Sequence, residues 1–272
     1  MSAALSIAVV TYRTPPRMLA RALDSLARAI HEARAAGMLG EVQLFVVDNA
    51  DDAALTAEGV RGWPVQAGSL DVVSGHGNVG YGSANNLLLD RLRSDVHLVM
   101  NPDVELEPAT LAAGLRTLAS HPEVGLVAPD VIDESGARQW LCKRYPSALV
   151  LFLRGFAPRL LQAPFRPLLD RYEMRDVIGE RFVAGVPLAS GCFMLVRTAL
   201  FRRLGGFDPR FFLYFEDYDL SVRLAREAAI AYEPAMRITH HGGEASRKGL
   251  RHVGWFVASA RRFYARHGWK LL

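Results

Sequence analysis

The first half of the chain alternates short, continuous apolar runs with longer segments whose apolar residues recur every three or four positions. We predict buried strands for the runs and helices for the periodic segments, because these spacings are typical of those elements. The predicted strands are Leu5–Val10, Val42–Val47, Leu70–Val73 and Val96–Met100. The predicted helices are Met18–Ala36, Ser83–Arg93 and Pro108–Ala119. This alternation predicts an α/β fold with a parallel sheet that is covered by helices on both faces.

The second half is less regular, and one of its segments allows two interpretations. Residues 147–169 are rich in apolar residues, Arg and Pro, so they form either a packed loop-and-helix insert or a segment that lies on a membrane surface. The later predicted elements are a strand Leu188–Val196, a helix ending near Glu227, a strand Ala231–His240 and a helix Leu250–Leu272. We therefore expect residues 1–125 and 126–249 to be two halves of one domain, followed by a C-terminal helix at 250–272.

The amino-acid composition excludes several classes of protein. Half of the 272 residues are apolar and 22% are charged, as in ordinary globular proteins. The formal net charge of +4 excludes an acidic disordered chain and favours no nucleic-acid partner. Two cysteines, Cys142 and Cys192, exclude a disulfide scaffold and a cysteine-rich zinc site. The N-terminus has no basic region before its apolar run and no run reaches bilayer length, so we expect a cytoplasmic protein.

Polar residues and glycines follow the predicted strands, at the edge where open α/β sheets bind ligands. Asp48 could accept hydrogen bonds from a nucleotide base or ribose, or could form a loop turn. Asp103, in Asn101-Pro-Asp103, could bind a divalent cation, although this tripeptide is also common in turns. The glycine-rich segment 75–82 matches neither the dinucleotide fingerprint nor a P-loop, which disfavours both of those families.

Carboxylates and histidines in the second half form two further candidates. Glu216, Asp217 and Asp219 adjoin an aromatic run, which would raise a carboxylate's pKa and suit a general base. The same carboxylates would equally suit the first turn of a helix. His240 and His241 follow a predicted strand and could complete a metal site or contact a phosphate, although paired histidines are more often structural.

In their order along the chain, the motifs resemble those of family 2 glycosyltransferases with the GT-A fold, and most of all the bacterial rhamnosyltransferase branch. The matching stretches are Ile7-Ala-Val-Val-Thr-Tyr12, Val46-Val-Asp-Asn49, Gly77-Asn-Val-Gly-Tyr-Gly-Ser-Ala-Asn85, Met100-Asn-Pro-Asp-Val104, Ser190-Gly-Cys-Phe-Met-Leu-Val196, Gly205-Gly-Phe-Asp208, Phe211-Phe-Leu-Tyr-Phe-Glu-Asp-Tyr-Asp-Leu220 and His240-His-Gly-Gly243. The resemblance implies a Rossmann-like, mostly parallel sheet. It also implies inverting transfer of a sugar, with L-rhamnose from dTDP-L-rhamnose expected, to a hydroxyl of a lipid-linked or polysaccharide acceptor.

The resemblance implies roles for individual residues. The nucleotide-sugar donor is expected to contact Thr11, Tyr12, Arg13, Asp48, Asn78, Gly80, Asn85 and Asn101. Asp103, with His240 or its competitor His241, is expected to bind Mg²⁺ or Mn²⁺. Asp217 matches the base that deprotonates the acceptor hydroxyl, and Glu216 precedes it as in the family. Arg13 replaces a common Asn, and Asn101 replaces the first Asp of the Asp-x-Asp motif, as is usual in this branch.

The C-terminal helix has its own alternatives. From Arg237 to the end, eight Lys and Arg residues accompany a single acidic residue, Glu244. This helix either contacts an anionic membrane, where the lipid-linked acceptors of the branch are found, or closes over the core.

Other activities also stay open. A UDP-hexose, a UDP-N-acetylhexosamine or UDP-galactofuranose is an alternative donor within the family. A nucleotidyltransferase is an alternative of another class, although such enzymes usually have a basic glycine-rich loop after the first strand. A non-catalytic protein that binds nucleotide sugars is a third alternative.

Overall fold

The computed structural model describes residues 2–242 and 250–271, in which a mixed sheet is flanked by helices. The strands are β1 (Ala3–Thr11), β2 (Leu39–Asp48), β3 (Ser69–Val73), β4 (Val96–Met100), β5 (Val104–Leu106), β6 (Val124–Ile132), β7 (Val183–Ala184), β8 (Phe193–Arg197) and β9 (Ala229–His240). The helices are α1 (Pro16–Ala35), α2 (Ala53–Val60), α3 (Tyr81–Asn86), α4 (Thr110–Ser120), α5 (Ala148–Phe156), α6 (Arg159–Gln162), α7 (Arg166–Tyr172), α8 (Thr198–Arg203), α9 (Glu216–Leu224) and α10 (Leu250–His267). The predicted boundary at 249, Gly243 of the histidine-glycine motif and Glu244 lie outside the described residues.

The sheet has the strand order β3-β2-β1-β4-β8-β6-β9-β5, and β7 also pairs with β9. The neighbours in β3-β2-β1-β4 are all parallel, as the alternation in the first half predicts. Beyond β4 the sheet is mixed, because β8 runs antiparallel to both β4 and β6 while β6 and β9 are parallel. Since Phe193 pairs with Met100, the chain enters β8 at the edge where β4 ends.

The two faces of the sheet carry separate layers of helices. Along β1, Ile7 and Val9 pack with α1 and α4, whereas Ala8 and Val10 pack with α3, α8 and α9. Successive side chains of a strand point to opposite faces, so a continuous apolar run is what a strand covered on both faces requires. The predicted α/β architecture is therefore confirmed.

The observed elements differ from the predicted ones mainly next to glycines. The predicted helix Ser83–Arg93 is wrong in extent, because α3 ends at Asn86 and a 3₁₀ turn follows at Leu89–Arg91. The predicted strand Leu188–Val196 begins only at Phe193, since Gly191 and Cys192 lie in a turn and the Gly191 amide bonds to Asp217. Strands β5, β6 and β7 were not predicted.

The last helix, α10, packs on α9 through an aromatic cluster and a buried charge network. The aromatic cluster contains Phe211, Phe215, Phe263 and Tyr264. The side chain of Asp219, which is fully buried, accepts hydrogen bonds from Arg223 and His267, each at 2.7 Å. This packing is the closure over the core that one of the two interpretations of the helix predicts, with Phe263 and Tyr264 buried within the protein.

We expect Asp219→Ala to lower the free energy of unfolding by about 3 kcal/mol, because it leaves buried cationic groups without their carboxylate. Urea denaturation would measure this change. The matched control is Glu227→Ala, which removes an exposed carboxylate paired with Arg203 and should cost less than about 1 kcal/mol. Equal losses for the two variants would show that the buried network does not hold α10 in place.

Candidate functional site

The carboxyl ends of β1 and β2 place Thr11 beside Asp48, and both residues are buried. The Thr11 hydroxyl donates a hydrogen bond to the carbonyl of Val47 at 3.3 Å, and the Thr11 carbonyl accepts one from the Asn49 amide at 2.9 Å. Asp48 Oδ1 accepts a hydrogen bond from the Ala50 amide at 3.1 Å. Its Oδ2 is buried and has no hydrogen-bond partner among the described residues. This oxygen is an unused acceptor at the edge of the sheet.

The glycine-rich loop after β3 is held by residues for which the sequence analysis gave no role. Asn49 Nδ2 donates to Asn78 Oδ1 at 3.0 Å, and Asn49 Oδ1 accepts from the Val79 amide at 3.1 Å. Asp51 accepts hydrogen bonds from the amides of Gly75 and Gly77 at 2.7 and 2.9 Å. The position of Asn49 in a family motif was a signal for its importance, whereas no local signal marks Asp51.

Gly80 lies where the loop meets the segment that leads to α9. Its φ is +87°, and a Cβ atom there would lie 2.3 Å from the carbonyl oxygen of Phe212. The Tyr81 amide donates to the same carbonyl at 3.2 Å. Asn85, which we expected to contact the donor, has no exposed surface and donates from Nδ2 to the Tyr81 carbonyl at 3.0 Å. In this arrangement its Nδ2 supports the loop, while its buried Oδ1 has no hydrogen-bond partner among the described residues.

Tyr12, Arg13 and Asn101 lie at the same edge with more open surroundings. Tyr12 and Arg13 follow β1 and are exposed, and the Arg13 guanidinium is 5.7 Å from the centroid of the Tyr12 ring. Arg13 has a φ of +52°, which is unusual for a non-glycine residue. Asn101 is partly exposed, and its amide donates to the Cys192 carbonyl at 2.8 Å.

Asp217 is oriented by two backbone amides at the start of α9. Its Oδ2 accepts a hydrogen bond from Gly191 at 2.9 Å, and its Oδ1 accepts one from Tyr218 at 2.8 Å. Burial raises the pKa of Asp217, while these amides oppose the rise. The turn before the helix has left-handed residues in succession, since φ is +70° at Tyr214 and +67° at Phe215. Such conformations cost about 1–3 kcal/mol each and cluster at functional sites.

Glu216 adjoins Asp217 in a drier environment. It is buried, and its Oε2 has no hydrogen-bond partner among the described residues. Burial, and then the neighbouring Asp217 carboxylate, raise the pKa of Glu216. The environment therefore favours the neutral form of Glu216 and leaves Asp217 as the better candidate for an ionised base.

Asp103 and His240 form a second group of polar side chains in the site. His240 Nε2 is 3.6 Å from Asp103 Oδ1, and this oxygen is buried without a hydrogen-bond partner among the described residues. Gln139 donates from Nε2 to the His240 carbonyl at 2.9 Å, so its Oε1 accepts from His240 Nδ1 at 3.0 Å. Burial lowers the pKa of His240. A neutral imidazole with a free Nε2 lone pair is the form that binds metals.

His241, the competing histidine, faces other groups. Its Nδ1 lies 2.6 Å from Glu134 Oε1 and its Nε2 lies 2.8 Å from Glu105 Oε1. Between the two histidines, the structure therefore places His240 at Asp103. In residues 2–242 and 250–271, no group of three or more His, Cys, Asp or Glu side chains is arranged to hold a metal ion.

Tyr81 connects the two acidic groups of the site. Its hydroxyl donates to the Gly191 carbonyl at 2.8 Å, next to the amide that holds Asp217. Burial raises the pKa of Tyr81, and the nearby charges of Glu216, Asp217 and Asp103 raise it further. The carboxylates that were predicted in separate motifs thus lie close enough to one tyrosine hydroxyl for their charges to raise its pKa.

The family described as Glycosyl transferase family 2 matches residues 6–205 of the chain. The chain therefore belongs to this family, and it is a glycosyltransferase. The mannosyltransferase PcManGT from Pyrobaculum calidifontis, solved with GDP-Man and Mn²⁺, superposes with a TM-score of 0.61 at 16% identity, over 98% of this chain and 76% of that chain. This likeness confirms the predicted GT-A fold.

Two relatives are rhamnosyltransferases. The N-acetylglucosaminyl-diphospho-decaprenol L-rhamnosyltransferase of Mycobacterium tuberculosis (strain ATCC 25618 / H37Rv) is 28% identical over 255 residues, 89% of this chain and 77% of the relative. Rhamnosyltransferase WbbL of Escherichia coli (strain K12) is 26% identical over 218 residues, 72% of this chain and 74% of the relative. These relatives confirm the resemblance to the rhamnosyltransferase branch.

We expect Gly80→Ala to lower the free energy of unfolding by at least about 2 kcal/mol more than Gly75→Ala. Both glycines have a φ of +87°, but a Cβ atom at Gly75 meets nothing within 4 Å, whereas at Gly80 it meets the Phe212 carbonyl. Backbone strain is thus common to the two variants, and only the steric contact differs. Urea denaturation of both variants would measure it, and equal losses would contradict the close packing of the loop.

The raised pKa of Glu216 should make stability fall as pH rises. The folded state then binds more protons than the unfolded state, so the contribution of Glu216 is full below its unfolded pKa and is lost as pH increases through the folded pKa. Between about pH 5 and about pH 8, Glu216→Gln should therefore gain stability relative to the unmodified protein, which urea denaturation at both values would detect. The exposed Glu58→Gln variant should show no such trend. A constant difference across this range would contradict the raised pKa.

Proposed function

We propose that this glycosyltransferase transfers L-rhamnose from dTDP-L-rhamnose to a hydroxyl of a lipid-linked sugar, with inversion at the anomeric carbon. The observation that carries this proposal is the presence of two acidic groups near Tyr81. One is Asp217, oriented by backbone amides, and the other is Asp103 with the Nε2 atom of His240 nearby. Inverting transfer needs a base for the acceptor and a stabilised leaving group, and these groups would supply them.

The proposed donor and acceptor follow from the relatives. Both reported relatives are named rhamnosyltransferases, and the mycobacterial one is named for an N-acetylglucosaminyl-diphospho-decaprenol acceptor. We propose that this enzyme also uses a polyprenyl-diphosphate-linked sugar as its acceptor, and that it acts on the cytoplasmic side of the membrane. In residues 2–242 and 250–271, no helix has both the length and the hydrophobicity needed to span a bilayer.

The nucleotide would lie at the carboxyl ends of β1 and β2. The unpartnered Asp48 Oδ2 suits an N–H donor of a pyrimidine base, and Thr11 lies beside it. The loop carrying Asn78 and Gly80, which Asn49 orients, would border the diphosphate and sugar. Tyr12 and Arg13 are exposed at this edge, where the cationic side chain of Arg13 could pair with a phosphate.

Asp103 and His240 fit a divalent cation, which Mn²⁺ in a structural neighbour also supports. Two features support this fit. Asp103 Oδ1 has no hydrogen-bond partner among the described residues and lies next to a neutral imidazole, and the backbone of Gly242 is close to both side chains. A pair of protein ligands is sufficient when phosphate oxygens and water complete the coordination, as is common for Mg²⁺. When bound, such a cation stabilises the negative charge of the leaving nucleoside diphosphate.

Asp217 would act as the general base. Its carboxylate takes the proton of the acceptor hydroxyl while that oxygen forms a bond to C1 of the sugar. The bond from C1 to the donor phosphate breaks on the opposite face, so the configuration at C1 inverts. The Gly191 and Tyr218 amides fix the carboxylate in position, and its raised pKa increases its strength as a base.

The experiment compares donor binding with transfer in the unmodified protein and in Asp217→Asn. We expect dTDP-L-rhamnose with Mn²⁺ to raise the Tm of both proteins, because a ligand bound by the folded state stabilises it. The rise should shrink in EDTA and with UDP-sugars. Transfer to a short-chain polyprenyl-diphosphate N-acetylglucosamine should fall about 10³-fold in the variant, the scale of a lost general base.

The exposed carboxylate of Asp24 provides a matched control, and Asp24→Asn should keep full activity. Turnover that survives in Asp217→Asn would contradict its role as the base. Selective stabilisation by a UDP-sugar would replace the proposed donor. No binding of any nucleotide sugar would contradict the proposed reaction.

A further inference from the structure

The insert formed by α5, α6 and α7 exposes apolar side chains to solvent. Leu160 is 89% exposed, Leu161 is 62% exposed and Phe165 is 39% exposed. All three are close in the chain, on α6 and the 3₁₀ turn that follows it. Large contiguous apolar surface is uncommon on a soluble domain and marks a place of contact.

The charge of this insert restricts what can cover it. Residues 148–169 contain three arginines and no lysine, aspartate or glutamate. Arg154 and Arg166 are exposed and pair with Glu173 and Asp170, but both carboxylates also pair with Arg175, so three arginines share two acidic groups. Exposed leucines beside this excess of arginine over acidic side chains complement an anionic phospholipid bilayer, whose interior is apolar and whose surface is negatively charged.

The other side of the insert is fixed to the candidate active site. Val150, Leu153, Leu169 and Tyr172 form its own small core. The hydroxyls of Tyr172 and Tyr218 are 2.6 Å apart, and Tyr218 directly follows Asp217. The contact between Tyr172 and Tyr218 therefore connects the insert, and whatever binds its exposed side, to the segment that carries the proposed base.

The end of the described chain lies beside the first residues of the insert. The amides of Ala148 and Leu149 donate to the carbonyls of Lys270 and Leu271 at 2.8 and 3.3 Å, so these residues run beside the start of α5. Trp269 and Leu271 are exposed there. Tryptophan is enriched at membrane interfaces because its ring is both apolar and a hydrogen-bond donor.

The basic helix α10 is a weaker candidate for the same contact. Phe263 and Tyr264, on its apolar side, are buried against Phe211 and Phe215. Its apolar residues that stay exposed, Val253 and Val257, are smaller than Leu160 and Leu161 and less exposed than those leucines, at 38% and 45%. An interfacial helix must insert its apolar face into lipid, and α10 uses that face within the protein.

We propose that the surface around Leu160, Leu161 and Phe165 docks on an anionic phospholipid bilayer, which brings the candidate active site to the membrane surface. The docking itself rests on this surface alone. Its use in delivering Asp217 to a lipid-linked acceptor rests on the proposed function. The two interpretations of residues 147–169 are then both correct. One side of the segment packs as a helical insert, and the other side is open to a membrane surface.

The experiment measures vesicle binding without any sugar donor or acceptor. The full chain is floated with vesicles of phosphatidylglycerol and phosphatidylethanolamine, and with vesicles of phosphatidylcholine alone. We expect binding to the anionic vesicles that weakens with salt, and little binding to phosphatidylcholine. A double variant, Leu160→Asp with Leu161→Asp, should bind at least about tenfold more weakly, because it places charge where lipid contact is expected.

The control is Val65→Asp, since Val65 is also 89% exposed but lies on another 3₁₀ turn, between α2 and β3. It should bind as the unmodified protein does, and equal urea midpoints would show that all variants fold. Unchanged binding of the double variant, or equal binding to both vesicle types, would overturn the proposal. So would a dimer that the double variant converts to a monomer, which would identify a second copy as the occupant. Vesicle binding without sugar transfer would instead contradict only the proposed function.

Discussion

The hydrogen bond from the Gly191 amide to Asp217 Oδ2 joins the segment before β8 to the first turn of α9. A Cβ atom at position 191 would lie 3.1 Å from Asp217 Cβ, so the close approach depends on a residue without a side chain. Tyr81, on the glycine-rich loop side, closes the same contact by bonding the Gly191 carbonyl. Segments more than one hundred residues apart thus meet at one residue, Gly191, and the position of the candidate base depends on it.

Several carboxylate oxygens of the site lack a hydrogen-bond partner within the described part of the chain, an arrangement that does not favour folding. Asp48 Oδ2, Asp103 Oδ1 and Glu216 Oε2 are all buried without a hydrogen-bond partner among the described residues. Burying such groups costs free energy unless a partner compensates. In the proposed reaction, an N–H group of the nucleotide would be the partner of Asp48 and a cation the partner of Asp103. Glu216 would keep its proton. The left-handed residues before α9 add strain to the same region.

The surrounding structure offsets these costs by bracing α9 on several sides. Asp219 is buried with Arg223 and His267, which ties α9 to the C-terminal helix. Tyr218 contacts Tyr172 of the helical insert. The face of the insert away from this contact is apolar and basic, whereas Phe263 and Tyr264 on the apolar face of α10 pack within the protein. The C-terminal helix is therefore a structural support of the site, and the insert is the part that remains open to a partner.

The sequence by itself determined the parallel half of the sheet and the family. Continuous apolar runs such as Leu5–Val10 suffice for strands buried on both faces, and motif order does not depend on packing. Tertiary structure decided that His240 and not His241 lies at Asp103, that Asp51 holds the glycine-rich loop, and that β8 is antiparallel. Local patterns record periodicity along one element. They carry no information about which distant backbone amide or side chain lies opposite, and these contacts form only when the elements assemble.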